Sequence, residues 1–132
     1  MSRPCPCTSK MSYDRCCGPF HAGTAMPETA EQLMRSRFSA YALAKVGYLI
    51  STCSDARRAD ENRQELEQYC RSVSCVGLKI FSKEKGGKAD DTGIVTFHAS
   101  LQANGRRSLH IETSSFAREH GNWVYVDGVV KG

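Results

Sequence analysis

Apolar residues recur along this chain at two periods, and the period changes near residue 75. Before that point the spacing is helical. Met34, Phe38, Tyr41 and Ala42 fall on one stripe, and Thr29 followed by Gln32 makes a capping box ahead of them. The spacing predicts a helix over 29–45. Gly47 is expected to interrupt it, with Tyr48-Leu49-Ile50 continuing as a short second helix. The polar run SDARRADENR at 54–63 opens the next helix. There Leu66, Tyr69, Cys70 and Val73 stand at i, i+3, i+4 and i+7, so that helix is expected to bury one stripe.

From Cys75 onward the period is two. Val76, Leu78 and Ile80 alternate as a half-buried strand does, and Val95, Phe97, Ala99 and Leu101 share one face of a second strand at 93–102. Gly86-Gly87 with Asp90-Asp91 supplies turn material, and Asn104-Gly105 is a strong hairpin signal. Strands at 107–118 and 123–130 follow, separated by His120-Gly121-Asn122. Helices first and an antiparallel meander second is an α+β order. A curved sheet wrapped around a helix hairpin gives a cone-shaped roll.

Residues 1–24 belong to neither pattern. They are rich in Cys, Gly and Pro and poor in aliphatics, so they cannot form a core alone. The expected division is a knuckle at 1–24 and a cone domain at 25–132. Four of the seven cysteines lie in that first segment, as Cys5, Cys7, Cys16 and Cys17. Four soft ligands so close together can close a tetrahedral zinc site. Disulfides are disfavoured: seven is an odd number, and no apolar leader precedes the cluster. The expected compartment is a reducing cytoplasm, with no membrane insertion. Cys16 and Cys17 are adjacent, so they share a metal only where the backbone bends, as at a helix end. His21 is a chemical rival for the fourth place. Ser9 is placed to donate to a sulfur. A four-thiolate site has no open position and is structural, not catalytic.

Charge adds little. The formal net charge is +4, and four thiolates binding one divalent cation reduce it by two. The basic residues are scattered, which makes nucleic acid an unlikely partner.

The order C-P-C-x-S-x-x-x-Y-x-x-C-C, from Cys5 to Cys17, resembles the SEC-C motif of the tail of the preprotein translocase ATPase SecA. The likeness continues through Gly18-Pro19-Phe20-His21, the run Ala30 to Tyr41, Tyr48-Leu49-Ile50 and Trp123-Val124-Tyr125-Val126-Asp127-Gly128. Together these are similar to the YchJ-like bacterial family. The resemblance implies Cys5, Cys7, Cys16 and Cys17 as ligands of Zn²⁺. It also implies a nuclear-transport-factor-two-like, or cystatin-like, cone, and it implies no settled activity. The family pattern has glycine where Thr8 and Lys10 stand, and lysine where Met11 stands. Thr8 is ill suited to positive φ, so the turn after Cys7 is expected to be reshaped. The family's Trp-His after Thr52 is replaced by Cys53-Ser54, and its Arg by Thr113 and Ser115.

Candidate pocket residues are Tyr48, Cys53, Glu112 and Asp127. Glu112 matches an acidic position of the family pattern and shares a face with His110, Ser114 and Phe116. Asp127-Gly128 also reads as a strand-ending turn. Cys70 and Cys75 read as core thiols. The leading functional expectation is a protein-interaction or adaptor module with a structural zinc. Its contact surface would use Lys10, Tyr13, Arg15 and Phe20 to meet an unidentified protein partner. The rivals are a purely structural knuckle and a small-molecule hydrolase or isomerase in the cone. Because the family's Trp-His and Arg are lost, the pocket is expected to be small or to lack a paired acid and base.

Overall fold

The capping box fixes the start of the central helix. In the computed structural model, which describes residues 3–131, α1 is the short helix Gly18–Ala22 and α2 spans Ala30–Leu43. The Thr29 hydroxyl accepts from Gln32 N–H at 3.1 Å. The Gln32 side chain reaches back one residue beyond the cap, accepting from Glu28 N–H at 2.7 Å. Helix α2 ends at Ala44, whose left-handed φ of 58° stops it. Gly47 is therefore not the break; it lies inside α3, Val46–Ser51. The polar run divides into α4, Asp55–Arg58, and α5, Arg63–Ser72, each with a side-chain cap, from Ser54 and Asn62.

Four antiparallel strands follow in sequence order: β1 Ser74–Lys85, β2 Thr92–Ala103, β3 Arg106–Glu119 and β4 Asn122–Lys131. Asn104 and Gly105 both take positive φ at the β2–β3 hairpin. Helix α2 lies on the inner face of this curved sheet. Leu33, Met34 and Phe38 meet Val95, Phe97, Ala99, Phe116 and Trp123 in one buried cluster.

Register shifts in β1 and β4 reset which residues face inward. In β1 the register shifts between Cys75 and Gly77, so Val76 is 42% exposed while Cys75, Leu78 and Ile80 pack on the core. Strict alternation from Val76 fails there because one extra residue turns over the side chains that follow, up to a second shift between Ile80 and Ser82. In β4 the shift falls between Tyr125 and Asp127: Phe116 pairs with Tyr125 and Ser115 with Asp127.

Helix α5 corrects a second expectation. It contains no buried residue, and Tyr69 is 42% exposed. Its apolar stripe roofs a cavity and does not seal a core. Tyr69 stacks edge-on against Tyr41 at 5.7 Å. The segment between α3 and α4 closes the cone against β4. Tyr125 N–H donates to Thr52 O at 2.8 Å, and Ser54 N–H donates to Tyr125 O at 2.9 Å.

The β1–β2 turn shows how tight the packing is at the open end. A Cβ on Gly93 would lie 2.5 Å from Gly86 Cα and 3.1 Å from the Ala30 side chain. Gly93→Ala should cost about 1–3 kcal/mol through overpacking against backbone that cannot yield. Gly47→Ala, in an exposed helical site with open space around it, should gain up to about 1 kcal/mol. Urea unfolding of both variants checks the pair; equal behaviour would mean that the turn does not hold Ala30.

Candidate metal centre and cavity

The knuckle is a small looped hairpin. Cys5 N–H donates to Met11 O at 2.9 Å and Tyr13 N–H donates to Arg3 O at 2.8 Å, bringing Cys5 and Cys7 back over the turn at Tyr13–Arg15. The chain then bends sharply at Cys16, and Cys17 caps α1. That bend lets two adjacent cysteines point to one centre. The sulfurs of Cys5, Cys7, Cys16 and Cys17 all lie within 4.8 Å of one another. Cys7–Cys16 is 3.5 Å and Cys16–Cys17 is 3.9 Å. A tetrahedral ion with bonds of about 2.3 Å to sulfur needs edges of about 3.8 Å, so the donor set fits a soft four-coordinate cation. Cys5, Cys7 and Cys17 are buried. His21 stands outside this cluster: its Nδ1 accepts from the Tyr13 hydroxyl at 2.6 Å, and its Nε2–H donates to Ser36 O at 2.8 Å.

Cys7 is where negative charge collects. Hydrogen bonds from Cys17, Ser9 and Cys16 outweigh burial and hold its thiol down at about 4. Burial, only partly relieved by the Ser9 hydroxyl and reinforced by Cys7 and Cys5, pushes Cys16 up to about 11. The Ser9 hydroxyl sits 3.1 Å from Cys16 Sγ, as its spacing suggested.

The turn after Cys7 is not reshaped. Thr8 and Lys10 adopt φ of 65° and 71°, the left-handed region that glycine occupies without strain. Closure of the thiol cluster imposes the conformation, and a hydrogen bond from the Thr8 hydroxyl to Leu78 O at 3.1 Å offsets part of its cost. The knuckle is also tied to α2. Arg35 Nη1 donates to Cys7 O at 2.9 Å, and its Nε pairs with Glu31 at 2.9 Å. Tyr13 and Phe20 turn inward and are half-buried; Arg3, Lys10, Met11 and Arg15 remain exposed.

The second site is a cavity of about 350 Å³ between α2, α5 and the sheet. Glu112 lines it, with His110, Ser114 and Tyr125 beside it. Its Oε2 accepts from the Ser114 hydroxyl at 2.6 Å and from the Tyr125 hydroxyl at 2.9 Å, while Oε1 accepts from His110 Nε2 at 2.9 Å. Burial raises the carboxyl's pKa, but these donors outweigh it and leave it below the usual carboxylate range. Gly128 makes the room, since a Cβ there would collide with the Glu112 carboxylate. Gly128 therefore lies within β4 and does not end it.

The other candidates fall elsewhere. Tyr48 is outside this cavity, donating to the Ser36 hydroxyl at 2.7 Å beside His21. Asp127 is turned out by the β4 bulge, its side chain 73% exposed. Cys53 is buried behind the wall at 1% exposure, 3.8 Å from Arg37 Nη1. The cavity is at the small end of ligand sites, as expected, but it does hold a paired carboxylate and imidazole, Glu112 and His110. Sequence reasoning also missed Arg37 and Arg57, both of which line it. Arg37 was hidden in an ordinary helical run, at a position that only the neighbouring apolar residues marked as inward.

A four-thiol knuckle docked on a cone-shaped α+β domain defines a class, and known proteins share it. A SEC-C motif containing protein from Rhodopseudomonas palustris, solved in solution, superposes with a TM-score of 0.87 over 100% of both chains at 29% identity. A crystal structure of a SEC-C motif containing protein from Psychrobacter arcticus gives 0.83 over 98% of this chain and 84% of that one, at 25% identity. Residues 29–128 match the model of the YchJ middle NTF2-like domain. A UPF0225 protein from Streptomyces coelicolor is 43% identical over 95% of this chain and 94% of its own length. Another from Actinobacillus succinogenes is 35% identical over 99% and 84%. The chain belongs to the YchJ family. No helix among the described residues is long and apolar enough to cross a membrane.

Two outcomes follow from this geometry. Lys10→Gly removes a left-handed strain without loss of a buried contact and should raise stability by about 1 kcal/mol, read as an upward shift in Tm; a fall would mean that the turn is not held at positive φ. Glu112 has a lowered folded pKa, so its contribution is present above the ordinary value of 4.5 and is lost as pH falls below it. Wild-type stability should drop more steeply than that of Glu112→Gln over this acid range, measured by urea unfolding at stepped pH. Parallel curves would show Glu112 to be unpaired.

Proposed function

We propose that this is a zinc protein whose metal is structural and whose knuckle docks on an acidic surface of a partner protein. One observation carries the reading: three of the four thiols are buried, while Lys10, Met11 and Arg15 stand exposed around them. Thiolates select zinc among common divalent ions, and four of them leave no position for substrate. The metal's work is then to stiffen a segment that has no core of its own. With Tyr13 and Phe20 turned inward, the contact surface is Arg3, Lys10, Met11 and Arg15 beside the exposed Asp14, a patch of net positive charge that suits an acidic partner. The odd number of thiols supports residence in a reducing cytoplasm. Scattered basic residues elsewhere argue against nucleic acid.

Elemental analysis of protein from metal-replete growth should give about one zinc per chain, as a four-ligand site requires. Cys7→Ser and Cys16→Ser should lose it, and Cys70→Ser should keep it. A photo-crosslinker at Met11 should capture one discrete protein in cells, and Lys10→Glu with Arg15→Glu should abolish that adduct. Zinc below about a tenth of stoichiometry would sink the metal assignment, and an adduct indifferent to charge reversal would sink the docking surface.

A further inference from the structure

Arg37 is a charge without a counter-charge. It is 8% exposed, and among the described residues no carboxylate oxygen lies within 4.0 Å of it. Its Nη1 donates to neutral groups only: Leu49 O at 2.8 Å, the Thr52 hydroxyl at 2.7 Å and, weakly, Cys53 Sγ. Buried guanidinium groups are ordinarily paired, because desolvation costs more than neutral acceptors return. Arg37 also lies against the Tyr125 ring, 4.6 Å from its centroid.

A second guanidinium shares that ring. Arg57 lies 4.8 Å from the same centroid. Its Nε is buried with no hydrogen-bond partner. Its nearest carboxylates, Glu61 at 3.5 Å and Asp127 at 3.8 Å, are beyond good hydrogen-bond length. Both arginines line the cavity, whose remaining wall includes Met34, Phe38, Leu66, Phe97, Leu101 and Phe116. A volume of about 350 Å³ is at the small end of ligand sites.

We propose that this cavity binds a small monocarboxylate with an apolar body, its head between Arg37 and Arg57 and its body against the phenylalanine wall. Two guanidinium groups beside one ring offer fork-shaped donors that match a planar carboxylate. The charge count limits the head to one negative charge. Glu112 and Glu61 also line the cavity, and Glu112 already has a donor on each oxygen. A phosphate dianion would face both of them. The site is separate from the knuckle, so it stands whether or not the docking reading holds.

Phenylacetate, phenylacetamide and phenyl phosphate are suitable probes, titrated into the intact metal-loaded protein and followed by backbone amide shifts of Tyr125 and Gly128. Phenylacetate should bind with millimolar affinity or better, and the neutral amide should bind at least ~10-fold more weakly, since it forfeits the charged hydrogen bonds. Arg57→Gln, at a partly exposed position that leaves the core intact, should weaken phenylacetate at least ~10-fold. Leu66→Trp fills the apolar end and should abolish binding while leaving the Tm unchanged, which separates a blocked cavity from a collapsed one. Equal binding of acid and amide, unchanged affinity in Arg57→Gln, or tighter binding of phenyl phosphate would overturn the proposal. So would the absence of shifts with phenylacetate and hexanoate up to about 10 mM, above the affinity that so few contacts should give.

Discussion

A guanidinium buried in the middle of α2 is the interaction on which the rest of the cone depends. Arg37 holds the Leu49 carbonyl of α3 and the Thr52 hydroxyl with one nitrogen, and lies against Tyr125 from β4. Thr52 and Ser54 in turn exchange backbone hydrogen bonds with Tyr125. Helix, connector and last strand therefore converge on one side chain. That convergence aims the Tyr125 hydroxyl at Glu112 and leaves an open volume where an apolar core would otherwise close. The cavity is a consequence of burying a cation at the sheet–helix junction, where packing alone would favour aliphatic residues.

The opposite face of α2 solves a different problem. Ser36 and Ser39 are fully buried, an unusual choice for a helix interior. Their polarity suits the His21 ring, which links Tyr13 of the knuckle to Ser36 O and stands 3.5 Å from the Ser39 hydroxyl. Arg35 adds a contact to Cys7 O. The knuckle thus rests on the same helix that carries Arg37, on another of its faces. Its thiol cluster is closed by local sequence, but its orientation is set by polar groups of the cone. Thr8 and Lys10 at positive φ record the strength of that closure, since neither residue type favours the conformation.

Local patterns decided a good deal. The Thr29–Gln32 pair fixed the start of α2, Asn104-Gly105 fixed a hairpin, and the inward face of β2 followed from alternation over four residues. The four thiols converged because eight intervening residues and a bend at Cys16 suffice, with no help from distant segments. The helix-then-strand order sufficed for the α+β class. These features rest on interactions between near neighbours, and spacing encodes those directly.

The cavity was another matter. Glu112 was visible from its face of β3, but its setting was not. Gly128 reads as a turn residue until the carboxylate packed over it is seen, and Asp127 shares a parity with Tyr125 that one bulged residue cancels. Val76 was misplaced by a bulge in the same way. A bulge costs little locally and leaves no compositional mark, yet it inverts the side chains that follow. Arg37 and Arg57 come together over one ring from two helices 20 positions apart in sequence. Sequence by itself determined the thiol cluster, the helix caps and the order of elements. Tertiary structure alone decided which polar groups meet, because that depends on strand register and on which charges the packed helices bury together.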